Sequence, residues 1–134
     1  ELLKGAVSRI PPDVILAVDS LAARSPERLA ATVQISDRGI SPGSGIGNHQ
    51  KSINWETVGV PVIAVGVPTV IHSSTLIQDV LERQEIWREN DRSDSLLNEL
   101  HGFFVTPKET DLLIKSASVL LADAIDRACT TGQE

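Results

Sequence analysis

Asp13-Val-Ile-Leu-Ala-Val-Asp19 is a continuous apolar run bounded by two carboxylates, and this stretch decides the fold. Such a run is typical of a strand covered on both faces, as in a parallel sheet flanked by helices. A second run, from Val60 to Val67, is also continuously apolar, and it ends at Gly66-Val67-Pro68. The sequence therefore predicts an α/β fold whose mainly parallel or mixed sheet is flanked by helices.

Helices are predicted before and after these strands. Apolar spacing places a short amphipathic helix over residues 2–10 and another over 74–90, with a charged, exposed connection over 90–95. Thr106-Pro107-Lys108-Glu109 resembles a capping box with proline at the first helical position, so a last helix should run from there to about Arg127. Shorter elements are predicted as a helical turn from Ser25, a half-buried or edge strand over 32–36, and helical turns over 55–59 and 96–100.

Length and composition indicate a single compact domain, or a large part of one. The 134 residues are 41% hydrophobic and 22% charged, which suits a soluble globular core. The net charge of -6 argues against nonspecific binding to nucleic acid or to an anionic membrane. No apolar run approaches the roughly 18 residues that a membrane span needs.

Two residue counts bear on the compartment and on the extent of the chain. Cys129 is the only cysteine, so an internal disulfide is impossible and a reducing cytoplasm is expected. The chain has no methionine and starts at Glu1, so we expect an N-terminal portion to be missing.

Asp19 is the leading candidate for catalysis because it follows an apolar strand. In open α/β sheets, ligands gather at the carboxyl ends of the strands. A partly desolvated carboxylate there could share a proton with a second carboxylate and act as a general base toward water. Position alone leaves an equal alternative, in which Asp19 caps the following turn.

The loop Gly39-Ile-Ser-Pro-Gly-Ser-Gly-Ile-Gly-Asn48 has four glycines in ten residues. It lacks the Gly-Lys-Ser/Thr ending of a P-loop, and its spacing does not fit GxGxxG, so a nucleotide site is not expected. The glycines should instead permit positive φ and close approach to a peptide substrate or a neighbouring loop, and the exposed amides could donate to an oxyanion. The residues expected to bind substrate or support the loop are Gly43, Ser44, Gly45, Gly47 and Asn48.

Other reactive side chains form no recognisable motif. His49, His72 and His101 are scattered without metal-ligand spacing, and no serine lies in a GxSxG elbow. His72 follows the second apolar run, on the same predicted sheet edge as Asp19, which leaves open a metal ligand, a proton shuttle or an ordinary loop histidine. Neither a metal nor a cofactor is predicted.

Five blocks of the sequence closely resemble the spore germination protease family, and together they make up about a third of the chain. They are Val18-Asp-Ser-Leu-Ala-Ala-Arg-Ser25, Thr32-Val-Gln-Ile-Ser-Asp37, Gly39-Ile-Ser-Pro-Gly-Ser-Gly-Ile-Gly-Asn48, Gly59-Val-Pro-Val-Ile-Ala-Val-Gly-Val-Pro-Thr-Val70 and Val105-Thr-Pro-Lys-Glu109. The first three are the most specific.

The resemblance implies an α/β, phosphorylase/hydrolase-like fold related to the hydrogenase maturation proteases, with residues 1–134 as the C-terminal portion of one protease domain. It implies an atypical aspartic-type endopeptidase, made as a zymogen, that degrades small acid-soluble spore proteins during germination in the cytoplasm of the spore core. It also implies a homo-oligomer, a tetramer in the active form. Asp19 inherits the role of one essential aspartate, and the other belongs to a motif in the N-terminal half.

The chain departs from the family pattern in ways that keep other functions open. Ser41 stands where the family is expected to have His, and His72 where it is expected to have Asp. The stretch between Thr75 and Phe103 is shorter than in many relatives. The alternatives are a nickel-recognising maturation protease, with Asp19 and a histidine as ligands, and a non-catalytic binding or assembly module.

Overall fold

The computed structural model describes residues 2–43, 51–86, 91–100 and 102–130. This part of the chain contains four strands and five α-helices, and a 3-10 turn follows the first strand. In chain order they are α1 (Leu2–Arg9), β1 (Ile15–Ala23), the 3-10 turn (Pro26–Arg28), β2 (Gln34–Ser36), α2 (Trp55–Val58), β3 (Val62–His72), α3 (Ser73–Arg83), α4 (Asp91–Leu100), β4 (Phe104–Val105) and α5 (Thr110–Thr130).

The strands form one mixed sheet around β3. β1 lies parallel to β3 on one side, β2 lies antiparallel to it on the other, and β4 pairs antiparallel with the last two residues of β3. The predicted α/β class with a mixed sheet is therefore confirmed. Among the described helices, none is long and apolar enough to cross a membrane.

Both main strands extend beyond their predicted ends. β1 continues to Ala23, so Asp19 lies within the strand, opposite Gly66, rather than at its end. β3 continues through Pro68 to His72. Proline normally interrupts a ladder because it has no amide donor, but here the β1–β3 register shifts directly after the Leu21–Pro68 pair, and the Pro68 carbonyl accepts from Ala30 N at 2.6 Å.

The core is centred on β3, whose residues 64–68 are all buried. Burial on both faces, predicted for the two apolar runs, is confirmed for β3. It is wrong for β1 in the described structure, where burial alternates and Leu16 and Val18 are exposed. The difference arises because β3 has a strand on each side, whereas β1 lies at the edge of the sheet.

The helices match the predictions better at their centres than at their ends. α1 forms as predicted, but α3 ends at Arg83, and residues 87–90 lie outside the described part of the chain. The connection predicted over 90–95 is wrong from Asp91 onward, because α4 begins there. Leu97 and Leu100 are half-buried one turn apart, and α4 packs against α3, so this apolar face outweighs the polar character of its first turn.

The predicted capping box at the start of the last helix does not form. α5 begins at Thr110, whose hydroxyl and amide both donate to the Pro107 carbonyl, so residues 107–110 make a tight turn ahead of the helix. Leu113 N makes a helical bond to the Glu109 carbonyl. The Pro107 carbonyl is thus used by the preceding turn rather than by a helix that starts at residue 107.

Polar contacts hold the carboxyl end of β3 and the segment that follows β1. Ser73 donates from its amide to the Phe103 carbonyl at 3.1 Å and from its hydroxyl to the Leu100 carbonyl at 2.8 Å. Arg83, at the end of α3, pairs with Glu27 of the 3-10 turn. Hydrogen bonds from its own backbone amide and from Arg83 hold the pKa of Glu27 below its ordinary value. These contacts link α3 to both neighbouring segments.

Candidate functional site

Asp19 lies in a row of three residues that crosses the sheet. Gly66 on β3 is its partner on one ladder, and Gly66 in turn pairs with Gln34 on β2. Paired residues point to the same face of a sheet, so Asp19 and Gln34 flank a residue that has no side chain. Their backbones are two strand spacings apart, about 10 Å.

The Asp19 carboxylate is half-buried and locally fixed. Its Oδ1 accepts a hydrogen bond from Ser20 N at 2.8 Å. A carboxylate bonded to an adjacent amide keeps its orientation while its other oxygen can meet a ligand. The alternative predicted for this residue, a cap on a following turn, does not match the structure, because the residues after Asp19 continue the strand.

Leu21 occupies the space above Gly66, next to Asp19 on the same face of β1. A Cβ added at Gly66 would lie only 2.1 Å from Leu21 Cδ1 and 2.6 Å from its Cγ. Glycine is therefore needed for Leu21 to pack in this position. The result is an apolar wall beside the carboxylate.

An open cleft of about 520 Å³ continues from this wall toward the carboxyl ends of β1 and β3. It is lined by Leu21, Ala22, Ala23, Arg24, Gln34, His72 and Thr75. Leu21 and Gln34 belong to its inner end beside the Asp19 row, and His72 and Thr75 to its outer end, because six positions of β3 separate Gly66 from His72. At about 3.3 Å per residue, the backbones of the Gly66 row and of His72 are about 20 Å apart along the sheet, and Leu21, opposite Pro68, is about 13 Å from His72.

Asp19 and His72 do not meet at one sheet edge, as the sequence predicted. Because Asp19 pairs with Gly66, its backbone lies about 20 Å along the sheet from His72, too far for one metal ion or one proton transfer. The His72 ring instead packs against Phe104, with ring centroids 4.5 Å apart. In the described residues, no cluster of three His, Cys, Asp or Glu side chains could hold a metal ion.

The glycine-rich loop is closed at its base by a short antiparallel bridge. Ile40 N donates to the Ile53 carbonyl at 2.9 Å and Ile53 N to the Ile40 carbonyl at 2.7 Å, while the Ser41 and Ser52 hydroxyls meet at 2.7 Å. Positive φ is confirmed at Gly39 (82°) and Gly43 (72°). The other residues assigned to substrate binding or loop support, Ser44, Gly45, Gly47 and Asn48, lie outside the described residues.

Gly39 makes the close backbone approach that the sequence predicted for this loop, and its partner is a neighbouring segment. A Cβ at Gly39 would lie 2.1 Å from the Ile53 carbonyl oxygen and 2.8 Å from Asn54 Cα. Asn54 is fixed by a reciprocal capping box with Thr57 at the start of α2, so it has little freedom to retreat. Loop closure thus depends on the absence of a side chain at residue 39.

We expect Gly39→Ala to destabilise the chain by about 2–4 kcal/mol, since it combines a positive φ with an overlap against backbone atoms. Urea unfolding followed by circular dichroism would measure the change. Gly59→Ala is the matched control, because Gly59 also has a positive φ (78°) but a Cβ there meets nothing within 4 Å. It should cost only the φ penalty of about 1–2 kcal/mol. Equal losses for the two variants would contradict the role assigned to the Ile53 contact.

Comparison with known proteins matches this arrangement to one group of peptidases. The family model described as germination protease matches residues 1–96, which include Asp19, Gly66, the cleft and the glycine-rich loop. The germination protease of Caldanaerobacter subterraneus subsp. tengcongensis is 40% identical over 98% of this chain and 48% of its own length. That of Clostridium perfringens is 38% identical over 96% of this chain and 46% of its own length.

The chain belongs to the germination protease family. A third relative, the germination protease of Priestia megaterium, is 51% identical over 61% of this chain and 22% of its own length. The alignment with the Caldanaerobacter protein extends over 154 positions, more than the 134 residues present here, so that relative has residues within the matched region that this chain lacks. The chain spans about half the length of the curated relatives that it matches over most of its residues.

Asp19 and the glycine-rich loop are predictable from the sequence, whereas most of the residues that line the cleft are not. Leu21 and Arg24 were predicted in a loop and Gln34 in a half-buried or edge strand, and the wall that they share depends on the β1–β3 and β2–β3 registers. One available signal was Gly66, a glycine inside an apolar strand, which often marks close approach by another group.

Proposed function

We propose that this chain forms the C-terminal part of an atypical aspartic-type endopeptidase that degrades small acid-soluble spore proteins during germination. The observation that carries the proposal is the position of Asp19, half-buried on β1 and two residues before the wall of an open cleft. Because the chain belongs to the germination protease family, the proposed role of this carboxylate is in peptide hydrolysis.

In the proposed mechanism, Asp19 acts as one member of a carboxylate pair. Two carboxylates that share a proton can divide the work, one accepting a proton from water and the other protonating the leaving amine. The hydrogen bond from Ser20 N fixes one Asp19 oxygen, which leaves the other for water or the partner carboxylate. The second aspartate is supplied by the part of the protease that lies outside this chain.

The cleft is the proposed site for the polypeptide substrate. Its lining combines apolar wall residues with groups that can donate or accept hydrogen bonds, namely Arg24, Gln34, His72 and Thr75. Such a lining holds a peptide through its backbone and through alternate side chains. The glycine-rich loop, closed at Ile40 and Ile53, is proposed to contribute backbone amides to substrate binding.

The nickel-recognising alternative pairs Asp19 with a histidine as metal ligands, and the distance between Asp19 and His72 argues against His72 as that histidine. No metal or cofactor is part of the proposal. The proposed setting is the cytoplasm of the spore core, and the proposed assembly is a homo-oligomer, a tetramer in the active form. No direct contact with nucleic acid or membrane is included.

A chimera tests the function directly. This chain would replace the matching half of the Caldanaerobacter germination protease, so that the relative supplies the rest of the protein. The chimera should cut a small acid-soluble spore protein into discrete fragments, seen by mass spectrometry, whereas the chain alone should be inert or nearly so. A chimera that folds but leaves the substrate intact would support the non-catalytic binding module instead.

A further inference from the structure

One face of the sheet, opposite the face that bears Asp19, exposes a patch of aliphatic side chains. This apolar sheet face consists of Leu16 and Val18 on β1, Ile63 on β3 and Ile35 on β2, with exposed fractions of 41%, 52%, 40% and 73%. The β registers place Val18, Val65 and Ile35 in one row and Leu16 beside Ile63. Contiguous apolar exposure of this kind marks an interaction surface.

The helix nearest to this face covers only its far end. Val67 lies on the same face of β3, two residues after Val65 of the Val18 row. It lines a small cavity with Leu113 and Ala117 of α5 and is itself buried. Val65, in the middle of the Val18 row, is also buried, whereas Leu16, Val18, Ile35 and Ile63 around it have no such cover among the described residues. The face is therefore covered at one end and open at the other.

The outer edge of β1 is also open in the described part of the chain. β1 has nine residues and pairs only with β3, so its other edge presents a row of backbone donors and acceptors. A long, apolar edge strand is a template for pairing with another segment. Its free edge adjoins the apolar sheet face, because Leu16 and Val18 belong to both.

An open face and an open edge are unusual for a parallel pair of strands. Parallel strands occur almost entirely in sheets whose two faces are covered. The relatives that match nearly the whole chain are about twice as long as the matched part, so their remaining polypeptide is about as large as this chain. A segment of that size is large enough to cover the face and extend the sheet.

We propose that the apolar sheet face and the free edge of β1 dock the portion of a germination protease polypeptide that lies outside the matched half. That portion adds backbone pairing along β1 and places apolar side chains on Leu16, Val18, Ile35 and Ile63. Docking also brings it to the strand that bears Asp19. The proposal concerns assembly and does not rest on catalysis, so it can fail or succeed independently of the proposed function.

The test uses this chain joined by a cleavable linker to the unmatched portion of the Caldanaerobacter protease. After the linker is cut, the two polypeptides should remain together as a 1:1 complex in size-exclusion chromatography with light scattering. The β1 amides should exchange with deuterium at least 10-fold more slowly than in the chain alone. Leu16→Gln with Val18→Gln should weaken the complex at least about 10-fold, as expected when two aliphatic side chains lose their burial.

The matched control is Leu112→Gln with Val119→Gln, which changes two aliphatic residues on α5 that are more exposed than Leu16 and Val18, and it should leave the complex intact. Separation of the two polypeptides after linker cleavage would overturn the proposal. Equal weakening by the two variant pairs would also overturn it. So would self-association of the chain alone that is lost in the Leu16→Gln, Val18→Gln variant, because the occupant would then be a second copy.

Discussion

Replacing Asp19 with Asn in the chimeric protease should lower kcat/KM by about 10²- to 10⁴-fold, the usual contribution of a positioned acid–base group. Asparagine has nearly the same shape and can still accept the hydrogen bond from Ser20 N. It cannot accept a proton from water or share one with a partner carboxylate. The loss should therefore be mainly in kcat, with little change in KM, because the cleft that holds the peptide remains intact.

Asp13→Asn is the matched control for this experiment. It makes the same chemical change at an exposed residue just before β1, so each variant loses one negative charge while the sheet and cleft are untouched in the control. We expect its kcat/KM to stay within about 2-fold of the parent, since exposed residues away from a site contribute little. A folded Asp19→Asn chimera that cleaves as fast as Asp13→Asn would remove Asp19 from the catalytic machinery.

The fold could be predicted from local apolar patterns, whereas strand ends depended on pairing. Both apolar runs were found, and their α/β arrangement is confirmed, because continuous apolar runs separated by helices have few other solutions. Pro68 was taken as an end, yet the strand passes through it because the neighbouring ladder shifts register there. That shift depends on Leu21 and Ala22, which precede Pro68 by 47 and 46 positions in the chain, so no local pattern contains it.

The candidate site could be predicted at its centre but not in its extent. Asp19 was found because a carboxylate after an apolar run is conspicuous, although it lies inside β1 and not at its end. His72 was placed on the same sheet edge because both strands were predicted to end early. With each strand longer, Asp19 falls near the middle of β1 while His72 remains at the carboxyl end of β3. An error of a few residues in strand length thus separated two side chains that were predicted to meet.

Ile71→Ala should destabilise the chain by about 2–5 kcal/mol, the range for removing most of a buried aliphatic side chain. Ile71 is 1% exposed and lies where three strands meet, opposite Ala23 on β1 and Val105 on β4. The space left by the missing side chain cannot easily be filled. Ala23 has only a small side chain, and β4, which has only two residues, would have to break its pairing with β3 in order to move inward. The cavity should therefore persist, and this places the expected loss in the upper half of that range.

Ile71 lies directly beside the cleft, since His72 follows it in β3 and lines the outer end of that cleft. Urea unfolding would give the free energy of unfolding, with Ile35→Ala as the matched control because Ile35 is a strand isoleucine that is 73% exposed. The control should lose less than about 1 kcal/mol. Ile71→Val, which removes one methylene, should cost only about 0.5–1.5 kcal/mol and keep the β4 pairing. Similar losses for Ile71→Ala and Ile35→Ala would mean that the junction of β1, β3 and β4 is not the centre of the core.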